Sequence, residues 1–281
     1  HSPYHNKNQR IRQLCALLYR YKPTFQHPKL SKPLLYATIY PDLPNYEELR
    51  INNLISDLLQ LLYAFLAQEV YHDNPLLQKK YLLNSLTLHD ADRHIEKNLR
   101  SYERLQQKSS HRSHAYFLEA YYLNEEADQQ QLRRAMRSNE GHFQKQSDAL
   151  DLFYHINKFR IACDMTSRNL VAQAGYQCHY LEELLRWYEE GPGSIREEPA
   201  LQLYYKVLQM LRRQEEEKWY VEVREILREQ YLCFTREELW QVYSFALNFC
   251  IIRINSGQSY YYQVVLQLYQ ELLDREIIFV N

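Results

Sequence analysis

The chain has 281 residues and a net charge of −1 at pH 7, with 46% hydrophobic and 25% charged residues, a balance that excludes disorder as the dominant state. Only 5 glycines and 9 prolines are present, too few turn residues for a β-sandwich or for a chain of short βα units, so we expect an all-α protein. The 5 cysteines are far apart and form no C-x-x-C pair, which disfavours a disulfide framework or a zinc knuckle. A reducing, cytoplasmic location is the expectation.

The first forty residues are basic. They contain seven Lys and Arg residues and no Asp or Glu, so this segment carries +7 and the remainder of the chain sums to −8. A short basic helix is predicted around Gln9 to Tyr21, before a segment interrupted by prolines. Four of its cations are candidate nucleic-acid contacts: Arg10, Arg12, Arg20 and Lys22. Neutralisation by acidic helices of the same chain is the simpler alternative, since the pI of about 6.9 lies below that of dedicated nucleic-acid binders.

A long helix is predicted next. Asn45 and Glu48 have the spacing of a capping box at its start, and apolar residues then recur at three- and four-residue steps from Ile51 to Leu66. The most apolar stretch, Leu58 to Gln68, is too short to span a bilayer, so no membrane partner is expected.

Further helical patterns follow. One runs from Pro75 to about Glu103 and another begins near His114. The stretches Gln144 to Met165 and Asn169 to Glu190 predict a helix pair that ends at a G-P-G loop.

Two histidine clusters in this region resemble metal sites. In "HDADRH" the two histidines, His89 and His94, are five residues apart. Two residues of one helix that bind the same metal ion need a spacing of three or four residues. His111 and His114 are correctly spaced, but no cysteine or carboxylate follows until Glu119. We therefore expect no metal ion at either cluster.

Catalytic motifs are absent from the sequence. It contains neither G-x-S-x-G nor a glycine-rich phosphate loop, and the adjacent Cys178 and His179 would point in different directions on a helix. We predict no catalytic residue and no cofactor, and a triad assembled from distant residues stays open as an alternative.

After the G-P-G loop the pattern becomes periodic. Four positions recur 38 residues later on one helical face: Leu201, Tyr205, Leu208 and Leu211 with Leu239, Tyr243, Ala246 and Phe249. Four more recur 42 residues later: Trp219, Tyr220, Val223 and Ile226 with Tyr261, Tyr262, Val265 and Leu268. Leu150 and Tyr154, 51 residues before Leu201 and Tyr205, match more loosely. Thr235 and Glu238 form a predicted capping box at the start of the second hairpin, and a two-helix period near 40 residues is typical of an α-solenoid.

These residues resemble divergent tetratricopeptide-like repeats over roughly 140–281. The resemblance implies a right-handed α-solenoid of helical hairpins over 139–281, preceded by an irregular N-terminal helical region over 1–138. The family expects small residues where paired helices cross, and here Tyr205 and Tyr243 occupy the inner faces. No proline closes the hairpins after Leu227 or Leu272 either, so no peptide-binding residues are carried over from the family.

Stacked hairpins present extended surfaces, so the predicted function is a scaffold for protein–protein interaction with an unidentified protein partner. The alternative is a nucleic-acid-associated or regulatory module that uses the basic N-terminal segment. Most of the 26 tyrosines are expected between helices, with Tyr154, Tyr205, Tyr243 and Tyr262 on the core stripe.

The C-terminal segment from Gln258 carries two apolar stripes and ends on Ile277, Ile278, Phe279 and Val280. One stripe is Tyr261, Val265, Leu268 and Leu272, and the other is Tyr262, Leu266, Tyr269 and Leu273. Because a terminal solenoid helix normally has a polar outer face, we expect this surface to meet either a continuation of the array or another chain. The candidate partner-binding residues are Tyr260, Tyr262, Leu266 and Leu273, and a homodimer through this helix is an alternative.

Overall fold

The computed structural model describes residues 8–133, 141–191 and 193–278, with the side chains of Ser194 and Ile195 excepted; Phe279 and Val280 of the apolar ending lie outside these ranges. All regular secondary structure within them is helical, which confirms the all-α class. The chain divides into two compact units, His1–Gln78 and Lys79–Asn281. No helix in the described ranges has the length and apolar character needed to cross a membrane.

Within residues 8–78, the described part of the first unit, three whole α-helices occur: α1 (Gln9–Tyr19), α2 (Lys32–Ile39) and α3 (Glu48–His72). Asn8 caps α1 by accepting a hydrogen bond from the Arg10 amide. The three helices enclose a small apolar core, formed by Ile11, Leu14, Leu35, Tyr36, Ile39, Tyr40, Ile51 and Leu54. The predicted basic helix and the predicted long helix are both confirmed.

The start of α3 differs from the prediction. Glu47 is the N-cap residue and no side chain caps the helix, so the capping box expected from Asn45 and Glu48 is wrong. Since Glu48 is the first helical residue, Asn45 lies two residues before the cap and cannot reach the amides of the first turn. Beyond Leu54 the helix carries many exposed apolar side chains.

The boundary between the units falls inside α4 (Pro75–Leu88). The second unit continues with α5 (Asp92–Gln107), α6 (His114–Arg133) and α7 (His142–Ala172). The helices α6 and α7 pack against each other along their length. The expected boundary at residue 138 lies outside the described residues and stays a prediction; the two compact units divide after Gln78.

The predicted single helix from Pro75 to Glu103 is two helices. Asp90 has a φ of 50°, and the amide of Ala91 donates to the carbonyl of Leu86, which closes α4 before α5 begins. Aspartate tolerates the left-handed region better than most residues, so the chain turns here without glycine or proline.

The predicted break near residues 166–168 is also displaced. The helix α7 continues to Ala172, and Gln173 adopts a left-handed conformation after it. The Asn169 side chain then exchanges two hydrogen bonds of 2.8 Å with the backbone of Tyr176, which fixes the loop before α8 (Leu181–Glu190).

The remaining helices are α9 (Gly193–Arg196), α10 (Pro199–Arg212), α11 (Glu217–Glu229), α12 (Arg236–Asn255) and α13 (Tyr261–Asp274). α10 packs on α7, α11 and α12, and α13 packs on α12, so these elements enclose the main apolar core of the unit. The predicted capping box of Thr235 and Glu238 at the start of α12 is confirmed.

Burial follows the 38-residue relation between α10 and α12, since Leu201 and Leu239 are both buried, as are Leu211 and Phe249. Between α11 and α13 the buried positions correspond at 41 residues rather than 42. The matched pairs are Tyr220 with Tyr261, Val223 with Val264, and Leu227 with Leu268.

Three tyrosine and leucine positions are exposed where the repeat pattern predicted burial. Tyr262 and Tyr154 were expected on the core stripe but are exposed, and Leu150 is exposed although its counterpart Leu201 is buried. The positions matched at 51 residues therefore differ in burial. Tyr243 is fully buried, as predicted.

Candidate functional site

The face of α13 that points away from the core carries an apolar surface. Four residues at steps of four, three and four share this face, which we name the outer stripe: Tyr262 (64% exposed), Leu266 (71%), Tyr269 (45%) and Leu273 (38%). Tyr260, also exposed, precedes the helix as its N-cap residue. The structure thus places three of the predicted partner-binding residues, Tyr262, Leu266 and Leu273, on one face of α13, whereas Tyr260 is turned about 200° away from Tyr262.

The opposite face of α13 is anchored to the core. Tyr261, Val264, Leu268 and Leu272 are buried there. The Tyr261 hydroxyl donates a hydrogen bond of 2.9 Å to Glu217 at the start of α11. Because one face is fixed, the outer stripe is held in the exposed orientation.

A polar network fixes the same helix further along. Both terminal nitrogens of the Arg224 guanidinium donate to the Glu271 carboxylate, one of them at 2.8 Å, and the Tyr243 hydroxyl donates to it at 2.8 Å. Arg275 donates to the Leu227 carbonyl at 2.8 Å and to the Tyr243 hydroxyl at 2.9 Å. The network joins α11, α12 and α13.

The pKa values in this network follow from its contacts. Burial opposes ionisation of Glu271, but the hydrogen bonds from Arg224 and Tyr243 outweigh it, so the pKa of Glu271 is lowered. Burial and the hydrogen bond to Glu271 raise the pKa of Tyr243 to about 12. The salt bridge is therefore charged and the tyrosine neutral around pH 7.

The outer stripe is flanked by neutral polar residues. Gln263, Gln267 and Gln270 are exposed, and Gln270 donates to Asp274 at 2.8 Å. A ligand of this face would be selected by shape and apolar burial more than by charge.

A groove of about 720 Å³ between α5, α6 and α7 is a second concave feature. Its apolar lining includes the buried residues Phe117, Leu123, Ala127 and Ala149. Its polar lining includes the side chains of Gln130 and Gln131, whose buried Nε2 atoms have no hydrogen-bond partner among the described residues. The groove has the size of a ligand site, and the acidic, basic and histidine residues of its lining include Glu96, Arg100, Glu103, His142, Lys145 and Asp148.

The candidate nucleic-acid contacts are distributed over α1 and the residues that follow it. Arg10 lies over the Tyr40 ring at 4.6 Å and Lys22 over the Tyr19 ring at 3.6 Å. Arg12 is exposed on α1, and two residues along a helix separate it from Arg10 by about 200°. Arg20 is exposed at the C-cap of α1.

The histidine clusters fall at helix boundaries. His89 and Asp90 lie in the turn before α5, and His114 begins α6 with its Nδ1 3.7 Å from Glu238. Within residues 8–133, 141–191 and 193–278, no three His, Cys, Asp or Glu side chains are placed to hold a metal ion. The Cys178 sulfur lies 4.0 Å from the His179 carbonyl, a contact that does not activate a thiol.

One apolar surface was not predicted as a site from the sequence. It covers the second half of α3, where Leu59, Leu62, Tyr63, Phe65, Leu66 and Val70 are exposed. The periodic apolar pattern was visible, but periodicity alone does not indicate whether a second face is covered.

Comparison with protein-family models, curated proteins and solved structures finds no match to the chain. The tetratricopeptide-like resemblance of residues 140–281 therefore stays a prediction. The functional proposal depends on the geometry of α13 and its neighbours.

Proposed function

We propose that the chain is a helical-repeat scaffold that binds a partner protein through the outer stripe of α13. The observation that carries this proposal is the exposure of Tyr262, Leu266, Tyr269 and Leu273 on one face while the opposite face is anchored. Contiguous exposed apolar side chains on a folded chain mark interaction surfaces.

The shape of the outer stripe fits a helix of the partner. From Tyr262 to Leu273 the helix advances about 16 Å at 1.5 Å per residue, which is about three turns. A partner helix with apolar residues at matching steps could align its own stripe along this length. The neutral glutamines beside the stripe place no charge requirement on that helix.

Corresponding positions are buried in the hairpins α10–α11 and α12–α13, at 38 residues between their first helices and 41 between their second, which supports the proposal that they are successive repeat units. In such an array the outer face of each hairpin is covered by the next one. The partner helix would then occupy on α13 the position that a following hairpin occupies in a repeat array.

Site-specific photo-crosslinking in cells that express the chain tests this function. A photoreactive amino acid in place of Leu266 should give a discrete adduct with one partner protein, because Leu266 is the most exposed residue of the outer stripe. The matched control places the same amino acid at Arg228, which is exposed on α11. The purified partner should then bind the Leu266→Glu variant at least tenfold more weakly than the parent chain.

Three outcomes contradict the proposal. They are equal adducts from both positions, an adduct only with a second copy of this chain, and unchanged partner affinity after Leu266→Glu. The second outcome would replace a scaffold for another protein by a homodimer.

A further inference from the structure

A basic groove lies along α5 in the second unit and is distinct from the outer stripe of α13. Its volume is about 520 Å³, and five cations line it: Lys79, Arg93, Lys97, Arg100 and Arg104. Glu96 is the carboxylate of its lining. Five cations against one carboxylate leave a local charge of +4 in a chain whose net charge is −1.

The four cations on α5 form a single stripe. Arg93, Lys97, Arg100 and Arg104 follow one another at steps of four, three and four, so they share one face of the helix. All four are exposed. At 1.5 Å per residue they cover about 16 Å, with neighbouring charges about 4.5–6 Å apart along the helix axis.

Two contacts hold the groove in shape. Lys79 donates from Nζ to the Asn98 side-chain oxygen at 3.0 Å, and the Asn98 amide donates to the His94 carbonyl at 2.9 Å. This links the α4 cation to the middle of α5. Arg100 forms a salt bridge with Glu96 one turn earlier, so the α5 stripe includes an internal charge pair.

The chemistry of the lining discriminates between anionic partners. Apart from the cations and Glu96, the groove is lined by Asn98 and Ser101, so none of the described residues contributes an apolar or aromatic side chain to it. An acidic protein helix would need apolar anchors at the centre of its interface, because charged residues are depleted there. Arg, Lys, Asn and Ser are instead the side chains that contact phosphate and sugar oxygens.

From this lining we infer that the α5 groove binds the sugar–phosphate backbone of a nucleic acid, without sequence preference. The lining residues that the structure describes include no aromatic ring for base stacking, so the contacts are to phosphates. Phosphates along one strand of a duplex are about 3.4 Å apart in axial rise, so a stripe of about 16 Å has the length of four to five phosphates. Because the strand curves away from a straight α-helix, we expect contacts to about four of them.

Fluorescence anisotropy with a labelled 16-base-pair DNA duplex tests the inference. Near physiological salt we expect a dissociation constant of roughly 1–100 µM, the range of non-specific binding, and tighter binding at low salt. The logarithm of the association constant should fall with the logarithm of salt concentration with a slope of about −3 to −4, at about −0.9 per phosphate. The test variant replaces Arg93, Lys97, Arg100 and Arg104 by Gln, which keeps helix propensity while it removes the charge.

A matched variant controls for net charge. It replaces Arg10, Arg12, Arg20 and Lys22 by Gln, so it also removes four positive charges, but from the N-terminal segment. The inference predicts at least tenfold weaker duplex binding and a shallower salt slope for the α5 variant, with less than a threefold change for the N-terminal variant. Thermal unfolding of both variants checks that the fold is kept.

Each remaining outcome has a defined meaning. Similar binding of a 16-nucleotide dT strand supports the inference, since its phosphates offer the same contacts. Absence of duplex binding at low salt, equal loss in both variants, or loss confined to the N-terminal variant overturns it. Equal affinity for a poly-glutamate peptide also overturns it, because the groove would then bind any polyanion.

Discussion

Arg224 on α11 and Glu271 on α13 form a bidentate salt bridge, and the Tyr243 hydroxyl of α12 donates to the same carboxylate. Three consecutive helices therefore meet at one acceptor group. Since both charged side chains are mostly buried, the directional bonds restrict how α13 can rotate about its axis. The orientation of the outer stripe depends on this restriction as well as on apolar packing.

Replacement Glu271→Gln should destabilise the fold by about 2 kcal/mol at pH 7, because the charge-assisted hydrogen bonds are lost and Arg224 is left without its carboxylate. Urea denaturation of the variant and the parent chain measures the difference. Glu225, the exposed residue that follows Arg224 in α11, supplies the control substitution Glu225→Gln. The free energy of unfolding of this variant should stay within about 0.5 kcal/mol of that of the parent chain.

The same pair gives a pH dependence with a defined sign. The pKa of Glu271 is lowered in the folded state, so its stabilisation is present above the unfolded pKa of about 4.3 and is lost as pH falls through the folded pKa. The stability difference between the parent chain and Glu271→Gln should thus be constant from pH 7 to about 5 and shrink below that. A difference that grows on acidification would contradict the assignment.

Leu268 and Leu266 provide a matched pair on one helix. Leu268 is fully buried, so Leu268→Ala should cost about 2–5 kcal/mol through lost burial and a cavity. Leu266 is 71% exposed, so Leu266→Ala should change stability by less than about 0.5 kcal/mol. Chemical denaturation of the two variants distinguishes the buried face of α13 from the outer stripe, and equal costs would mean that the helix is rotated.

Helix existence could be predicted from the sequence because apolar residues at three- and four-residue steps leave few alternatives. The long α3, the helix at Gln9 and the α12 capping box were all predicted correctly. The helix ends were harder. The turns at Asp90 and Gln173 use left-handed residues that are neither glycine nor proline, so composition gives no signal for them.

The register of α13 shows why a candidate surface needs the structure. Adjacent tyrosines at 260, 261 and 262 allow either a 41- or a 42-residue match to α11, and a one-residue shift rotates the helix by about 100°. The structure buries Tyr261 and exposes Tyr262. The bond from Tyr261 to Glu217 and the Arg224–Glu271 pair select this register through contacts between residues 44 and 47 positions apart, which periodicity cannot reveal.

Substitutions at the two predicted capping residues, Thr235 and Asn45, should differ in their effect on stability. Thr235→Ala should destabilise the fold by about 1 kcal/mol, because Thr235 accepts from the Glu238 amide at 3.2 Å and its own amide donates to the Glu238 carboxylate at 3.0 Å. Asn45→Ala should have no measurable effect, since Asn45 is exposed and outside the α3 cap. Thermal or urea unfolding measures both, and a cost at Asn45 similar to that at Thr235 would contradict the observed start of α3.

The free thiols report on packing in both units. Cys15 is exposed on α1, whereas Cys163 and Cys250 are buried. Burial raises the pKa of Cys163, and it raises the pKa of Cys250 to about 11, so both thiols are protonated at pH 8 and shielded from reagent. Labelling of the native chain by a thiol reagent at pH 8 should therefore include a fast phase from Cys15, and the two buried thiols should react only as the second unit opens.

Two serine variants assign the phases of that reaction. Cys15→Ser should remove a fast phase, and Cys250→Ser should leave it unchanged while removing a slow phase. Addition of urea below the unfolding midpoint should accelerate the slow phases and leave the Cys15 rate nearly constant, because only the buried thiols depend on opening. Fast labelling of Cys250 without denaturant would mean that α12 is not covered by α11 and α13, and the anchoring of the outer stripe would then lose its structural basis.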